Sequence, residues 1–170
     1  MPDQTHYKGR YLSLVERDGW EYATRTNPVV AVLVAWLPDR RLLLVEQYRK
    51  PVEKSVIELP AGLVGDLGEE SVIEAAHREL VEETGYAAGS IREIMRCPTS
   101  AGMTDETAVF LAAADLERVG PGGGDDSEDI TVHAIARERI DAWLQTQLEL
   151  GKAVDPKIFT ALYWGVPAGQ

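Results

Sequence analysis

The stretch 62–86 reads G-L-V-G-D-L-G-E-E-S-V-I-E-A-A-H-R-E-L-V-E-E-T-G-Y, a glycine-rich loop running into a well-bounded helix. Ser71-Val72-Ile73-Glu74 is a capping box: the Ser71 side chain bonds the amide three residues on, while Glu74 reaches back to the Ser71 amide. Gly85 fits a C-terminal cap, so the helix covers about 71–84. At about 100° per residue, Val72, Ala76 and Leu80 form one stripe, and Glu79 and Glu83 lie on or beside it. Like charges at i, i+4 destabilise an isolated helix, and near a core face they need a counter-charge. A divalent cation meets that need most economically.

On the N-terminal side the chain reads as strands. Segments 11–16 and 20–26 flank Arg17-Asp18-Gly19, as in a hairpin with Asp-Gly at its turn. Segment 29–37 is almost wholly apolar and rich in Val, as expected of a strand buried on both faces. Pro38-Asp39-Arg40 makes the next turn and 41–48 a further strand. On the C-terminal side, 91–96, 107–113 and 130–136 read as strands. Segment 140–150 reads as an amphipathic helix and 156–164 as a terminal one, with Pro156 at its start. The run 120–124 lacks a phosphate-cradle pattern and reads as a flexible turn. This order predicts an α/β architecture of the α+β kind: a mixed central sheet sandwiched by helices, with a small antiparallel sheet at the N-terminus. Residues 1–27 form the N-terminal hairpin and 28–170 the main domain.

Composition narrows the function classes. At 170 residues, 45% apolar and 26% charged, the chain has the make-up of one soluble domain. A net charge of −11 argues against general nucleic-acid binding, which needs basic surface. An anionic substrate must then be held by local Arg or metal. Cys97 is the only cysteine, so no intrachain disulfide can form and a reducing cytoplasm fits. The polar start, Met1-Pro2-Asp3-Gln4, carries no sign of a signal peptide. No apolar run is long enough to span a membrane.

The spacing from Glu70 through Arg78-Glu79-Leu80-Val81-Glu82-Glu83-Thr84-Gly85 resembles the Nudix box of the Nudix hydrolases. Two departures stand out: Tyr86 replaces a more usual aliphatic residue, and the loop from Gly62 to Glu70 is two residues longer than is usual. The insertion falls between Gly65 and Gly68, ahead of the helix. Four further stretches look like the ADP-sugar (ADP-ribose) pyrophosphatase branch: Trp20-Glu21-Tyr22-Ala23-Thr24-Arg25-Thr26, Glu46-Gln47-Tyr48-Arg49, Glu58-Leu59-Pro60-Ala61-Gly62-Leu63, and Thr99-Ser100-Ala101-Gly102-Met103-Thr104-Asp105-Glu106. In the last, Ala101 and Met103 stand where Pro and Phe are usual. The resemblance implies Mg²⁺-dependent hydrolysis (Mn²⁺ being possible) of the diphosphate of ADP-ribose or a related nucleoside diphosphate sugar. Other substrates of the wider family are GDP-mannose, dinucleoside polyphosphates and nucleoside triphosphates; a silent ligand sensor is the non-enzymatic alternative.

The chemistry explains the residue types. Splitting a diphosphate puts charge on crowded oxygens, and a divalent ion neutralises it and lowers the pKa of bound water. Hard cations take oxygen ligands, and Glu79 and Glu83 can both reach one or two ions. By resemblance the Ala61 carbonyl is a further ligand, and Glu82 assists or binds a second ion. Arg78, which stays charged, is expected to orient a neighbouring glutamate, with Glu70 in a similar supporting part. A general base must come from off the helix. By resemblance, Glu106 is the first candidate, since it ends the loop similar to the branch's catalytic loop, and Glu128 or another acid within 125–129 the second, since related enzymes place the base on that later loop.

Trp20 and Tyr11 can clamp a purine between aromatic faces, one from each subunit of a homodimer joined through the hairpin; alternatively they pack the small sheet or the interface. Arg25 and Arg49 are candidates for the terminal ribose or the diphosphate. His6, His77 and His133 share no metal-ligand spacing and read as structural or surface residues.

Overall fold

In the computed structural model, which describes residues 3–66, 68–124 and 129–165, β4 (Val29–Ala35) is the strand that joins two cores. It pairs antiparallel with β7 (Ala61–Leu63) and parallel with β9 (Thr107–Arg118). β9 pairs antiparallel with β8 (Tyr86–Pro98), giving the order β7-β4-β9-β8. Successive side chains of a strand point to opposite faces. Val32 and Val34 therefore enter one cluster with Phe110, Leu42, Leu44 and Ile57, while Ala31, Leu33 and Ala35 enter another with Val109, Leu111, Ala76 and Leu80. That is why the segment carries no polar alternation.

A second four-stranded sheet has the order β10 (Ile130–Ala136), β5 (Arg41–Arg49), β6 (Lys54–Glu58), β11 (Ala153–Val154). The expected central sheet is thus two sheets, which meet where Trp36 bridges to Leu42. Helix α1 (Val72–Glu79) packs on β4, β7 and β8. Ile140 and Leu144 of α2 (Ile140–Glu149) and Ile158 and Ala161 of α3 (Lys157–Trp164) close the cluster on the other side.

The N-terminal sheet is three-stranded: β1 (Gln4–Lys8), β2 (Ser13–Arg17) and β3 (Trp20–Thr24). Arg17 pairs with Trp20 across Asp18 (φ 51°) and Gly19 (φ 82°), the positive dihedrals of a two-residue hairpin turn. β2 begins at Ser13 rather than at Tyr11, because a turn in which the Gly9 amide donates to the Leu12 carbonyl (2.8 Å) precedes it. β1 is exposed at every residue and so has no apolar alternation by which to announce itself. No helix among the described residues is long and apolar enough to cross a membrane.

Candidate active site

The capping box forms as the spacing predicts: the Glu74 amide donates to Ser71 Oγ (3.2 Å) and the Ser71 amide to Glu74 Oε2 (2.7 Å). The helix does not, however, stay α-helical to residue 84. Its last turn, Leu80–Thr84, is π-helical and ends on Gly85 at φ 75°, whose amide donates to the Val81 carbonyl (2.9 Å). A π turn takes an extra residue, so the acids beyond Glu79 are re-aimed relative to an ideal α-helix. Glu79 and Glu83 are 9% and 3% exposed, burial that a merely solvated acidic face would not have.

β7 meets these acids from the sheet. A Cβ built on Gly62 would lie 1.8 Å from the Glu79 carboxyl carbon, so only glycine leaves that carboxylate its room. In the β4–β7 ladder, the Leu33 amide donates to the Pro60 carbonyl (2.8 Å) and the Val64 amide to the Val29 carbonyl (3.0 Å). Alternate residues of an antiparallel ladder exchange bonds, which turns the amide and carbonyl of Ala61 away from β4. The amide donates to Glu83 Oε2 (3.0 Å), and the carbonyl leaves the ladder on the same side.

Arg78 ties the acids together. Its Nη1 donates to Glu79 Oε1 (2.7 Å) and Glu82 Oε2 (3.1 Å), its Nη2 to Glu70 Oε1 (2.9 Å) and the Leu63 carbonyl (3.4 Å), and its Nε to Glu70 Oε2 (3.3 Å). These bonds, Glu70's first among them, raise the Arg78 pKa still further above its ordinary range. In return, the Arg78 bonds hold the Glu70 carboxyl below the usual glutamate range, helped by the Gly65 amide at 2.9 Å.

Beside this cluster lies a cavity of about 380 Å³, lined among others by Arg25, Arg49, Glu58, Ala61, Gly62, Asp66, Glu79, Glu106 and Lys157. Arg49 Nε donates to Glu58 Oε2 (2.8 Å), and burial pushes the Glu58 carboxyl up. Arg25 Nη2 lies 3.3 Å from Glu106 Oε2. The loop carrying Glu106 is docked on β3: the Ala23 amide donates to the Met103 carbonyl (2.8 Å), and Thr24 Oγ1 donates to Asp105 Oδ2 (2.8 Å).

The structure thus brings Arg25, Arg49, Ala61, Glu79 and Glu106 to one cavity, with Glu82, Arg78 and Glu70 in the adjoining hydrogen-bonded cluster and Glu83 bonded to the Ala61 amide. Trp20 and Tyr11 lie elsewhere in the single chain. Trp20 is 63% exposed, donates to the Gly102 carbonyl (3.3 Å) and lines a separate groove with Tyr22 and Asp105. Tyr11 is 74% exposed beneath Arg10. Glu128 and 125–127 lie outside the described residues. Lys157 and Asp66 are among the cavity residues that sequence reasoning passed over; a lone lysine at a helix start carries no motif.

The run 120–124 is built onto the site rather than hanging free. Gly123 and Gly124 donate to the carbonyls of Glu83 (2.8 Å) and Glu82 (3.0 Å), and a Cβ on Gly122 would meet the Thr84 carbonyl carbon at 2.4 Å. These amides satisfy the orphan carbonyls of the helix end, which is the work the glycines do.

Glu79, Glu83 and the Ala61 carbonyl offer only oxygen ligands, the donor set of a hard divalent cation, and Glu82 is linked to Glu79 through Arg78 Nη1. The clearance at Gly62 keeps the Glu79 carboxylate at the sheet edge where the Ala61 carbonyl emerges. The residues fit such an ion.

A model of the NUDIX domain matches residues 26–153. Among similar proteins, the methanol dehydrogenase activator of Bacillus methanolicus is 35% identical over 103 residues, 61% of this chain and 55% of that protein. The ADP-ribose pyrophosphatase of Bacillus subtilis is 40% identical over 87 residues, 51% of this chain and 46% of that one. That of Escherichia coli K12 is 29% identical over 143 residues, 79% and 66%. The chain spans about half to two thirds of the length of these relatives. A crystal structure of an ADP compounds hydrolase superposes with a TM-score of 0.67 at 23% identity, covering 85% of this chain and 81% of that one, a likeness of fold. With the family model matched from β4 through β11 and the acid-bearing helix at its centre, the chain belongs to the NUDIX-domain family.

Proposed function

We propose that the protein hydrolyses the diphosphate of ADP-ribose or a related nucleoside diphosphate sugar, yielding a nucleoside monophosphate and a sugar phosphate. The observation that carries this is the convergence of buried Glu79 and Glu83 with the edge of β7, beside a cavity that also holds Arg25 and Arg49. The similarity to two proteins named ADP-ribose pyrophosphatase supports the choice of substrate.

Glu79, Glu83 and the Ala61 carbonyl would hold a divalent cation, Mg²⁺ or Mn²⁺, with Glu82 assisting. When bound, that ion supplies charge neutralisation at the diphosphate and acidifies a water. Arg25 and Arg49 bind phosphate oxygens or the terminal ribose through their guanidinium forks. Arg78 and Glu70 orient the acids. Glu106, or an acid within 125–129, accepts the proton of the attacking water. That water's oxygen stays on one phosphorus, and the bridging oxygen leaves with the other. The Arg25–Glu106 pair has a direct consequence: an anionic substrate competes for Arg25 and leaves Glu106 free to act.

Tyr11 and Trp20 act as substrate-binding residues in a homodimer joined through 1–27, in the cytoplasm. A hydrolysis panel with Mg²⁺ tests the proposal, using ADP-ribose, GDP-mannose, diadenosine polyphosphates and nucleoside triphosphates. The expected result is the highest kcat/KM on ADP-ribose with AMP released. Preference for a triphosphate would overturn the substrate assignment, and tight binding of ADP-ribose without turnover would make the protein a sensor.

A further inference from the structure

Lys157 and Asp155 form an ion pair at the edge of the cavity that no sequence motif marks. Lys157 Nζ lies 2.5 Å from Asp155 Oδ2, and the Lys157 amide donates to Asp155 Oδ1 (2.7 Å). Asp155 is itself anchored, since its amide donates to the Ile57 carbonyl (2.9 Å) where β11 runs parallel to β6. That anchoring places the pair beside Glu58, which borders the cavity with Lys157 and is paired with Arg49 at 2.8 Å. Asp155 and Lys157 both act electrostatically on Glu58, with opposite sign. This side of the cavity therefore carries two cations, each matched by its own carboxylate. Such a balanced set offers donors and acceptors to hydroxyl groups and no surplus positive charge to a further phosphate.

We propose that the Lys157–Asp155 pair, beside Arg49–Glu58, is a specificity determinant that favours a neutral, polyhydroxylated moiety on the distal phosphate over an additional phosphate group. It rests on the proposed function, because it assigns the distal half of a nucleoside diphosphate sugar to this side of the cavity. Asp155→Asn keeps the Oδ1 acceptor for the Lys157 amide but leaves the lysine charge unbalanced; Lys157→Met does the reverse.

The test is calorimetric binding of ADP-ribose and ATP with EDTA present, so that no turnover intervenes. Relative to wild type, the ratio of the ATP Kd to the ADP-ribose Kd should fall by about tenfold in Asp155→Asn and rise in Lys157→Met. A ratio unchanged in both folded variants, or moving in the same direction in both, would overturn the proposal. If one variant fails to fold by circular dichroism, the other still decides. A wild-type protein that neither binds ADP-ribose in EDTA nor releases AMP from it with Mg²⁺ would instead sink the functional reading on which the proposal stands.

Discussion

Arg78 and Gly62 make the site at the scale of single residues. Arg78 serves three glutamates and a carbonyl from one planar fork, a geometry that lysine cannot reproduce. Arg78→Lys should therefore raise the Mg²⁺ concentration needed for half-maximal activity by about 10–100-fold while leaving the fold intact, the usual cost of removing support behind metal ligands. A Mg²⁺ titration of activity reads this directly. Gly62→Ala drives a methyl into the Glu79 carboxylate and should lower kcat on the order of a hundredfold or more. By contrast, a Cβ at Gly102 meets nothing within 4 Å, and Gly102→Ala should melt as the wild type does. Glu70 gives a pH signature. Its pKa is lowered in the fold by Arg78, so its stabilisation is present above the ordinary glutamate range and lost as pH falls through the lowered folded value. Urea denaturation should show wild type more stable than Glu70→Gln at pH 7, with the gap closing in acid.

Elements set where those residues go, and they were unequally legible. The helix start at Ser71 and the stop at Gly85 were readable because caps are local chemistry between neighbours in sequence. The π turn at Leu80–Thr84 was not, since it is fixed by how Leu80 and Thr84 bury against the sheet and by the glycine run that receives the helix end. The buried strand β4 announced itself by composition, whereas β7 did not: Gly62 read as loop until β4 supplies the pairing edge. The run 120–124 looked like slack chain for the same reason, because its packing partner lies some forty residues earlier. Gly122 sits at φ 70° against Thr84, so Gly122→Ala should be destabilised by about 1–3 kcal/mol or more. Gly120→Ala, which meets nothing, should stay within about 0.5 kcal/mol. Thermal melts of the two variants side by side check this.

At the scale of the whole molecule, the N-terminal sheet and the NUDIX domain share the loop that carries Glu106, through Ala23, Thr24 and Arg25. Tyr7, Tyr11 and Trp20 of that sheet and its turns are 66%, 74% and 63% exposed in the single chain. Pairing of two copies through this sheet would cover them, and light scattering should give about twice 18.7 kDa; a monomer would remove the dimeric clamp. The acids of the helix were legible because Nudix-box spacing is local, while the cavity is assembled from β4, β5, β6, β7, β9, α1 and α3 and depends on long-range pairing. The central claim is that Glu79 and Glu83 hold the ion that makes this cavity a hydrolytic site. It is tested most directly by following AMP release from ADP-ribose against Mg²⁺ concentration in the wild type, Glu79→Gln and Glu83→Gln. The account predicts release that requires the ion in the wild type and falls on the order of a hundredfold or more in both folded variants. Release that is independent of the ion, or near-normal turnover in either variant, would contradict it.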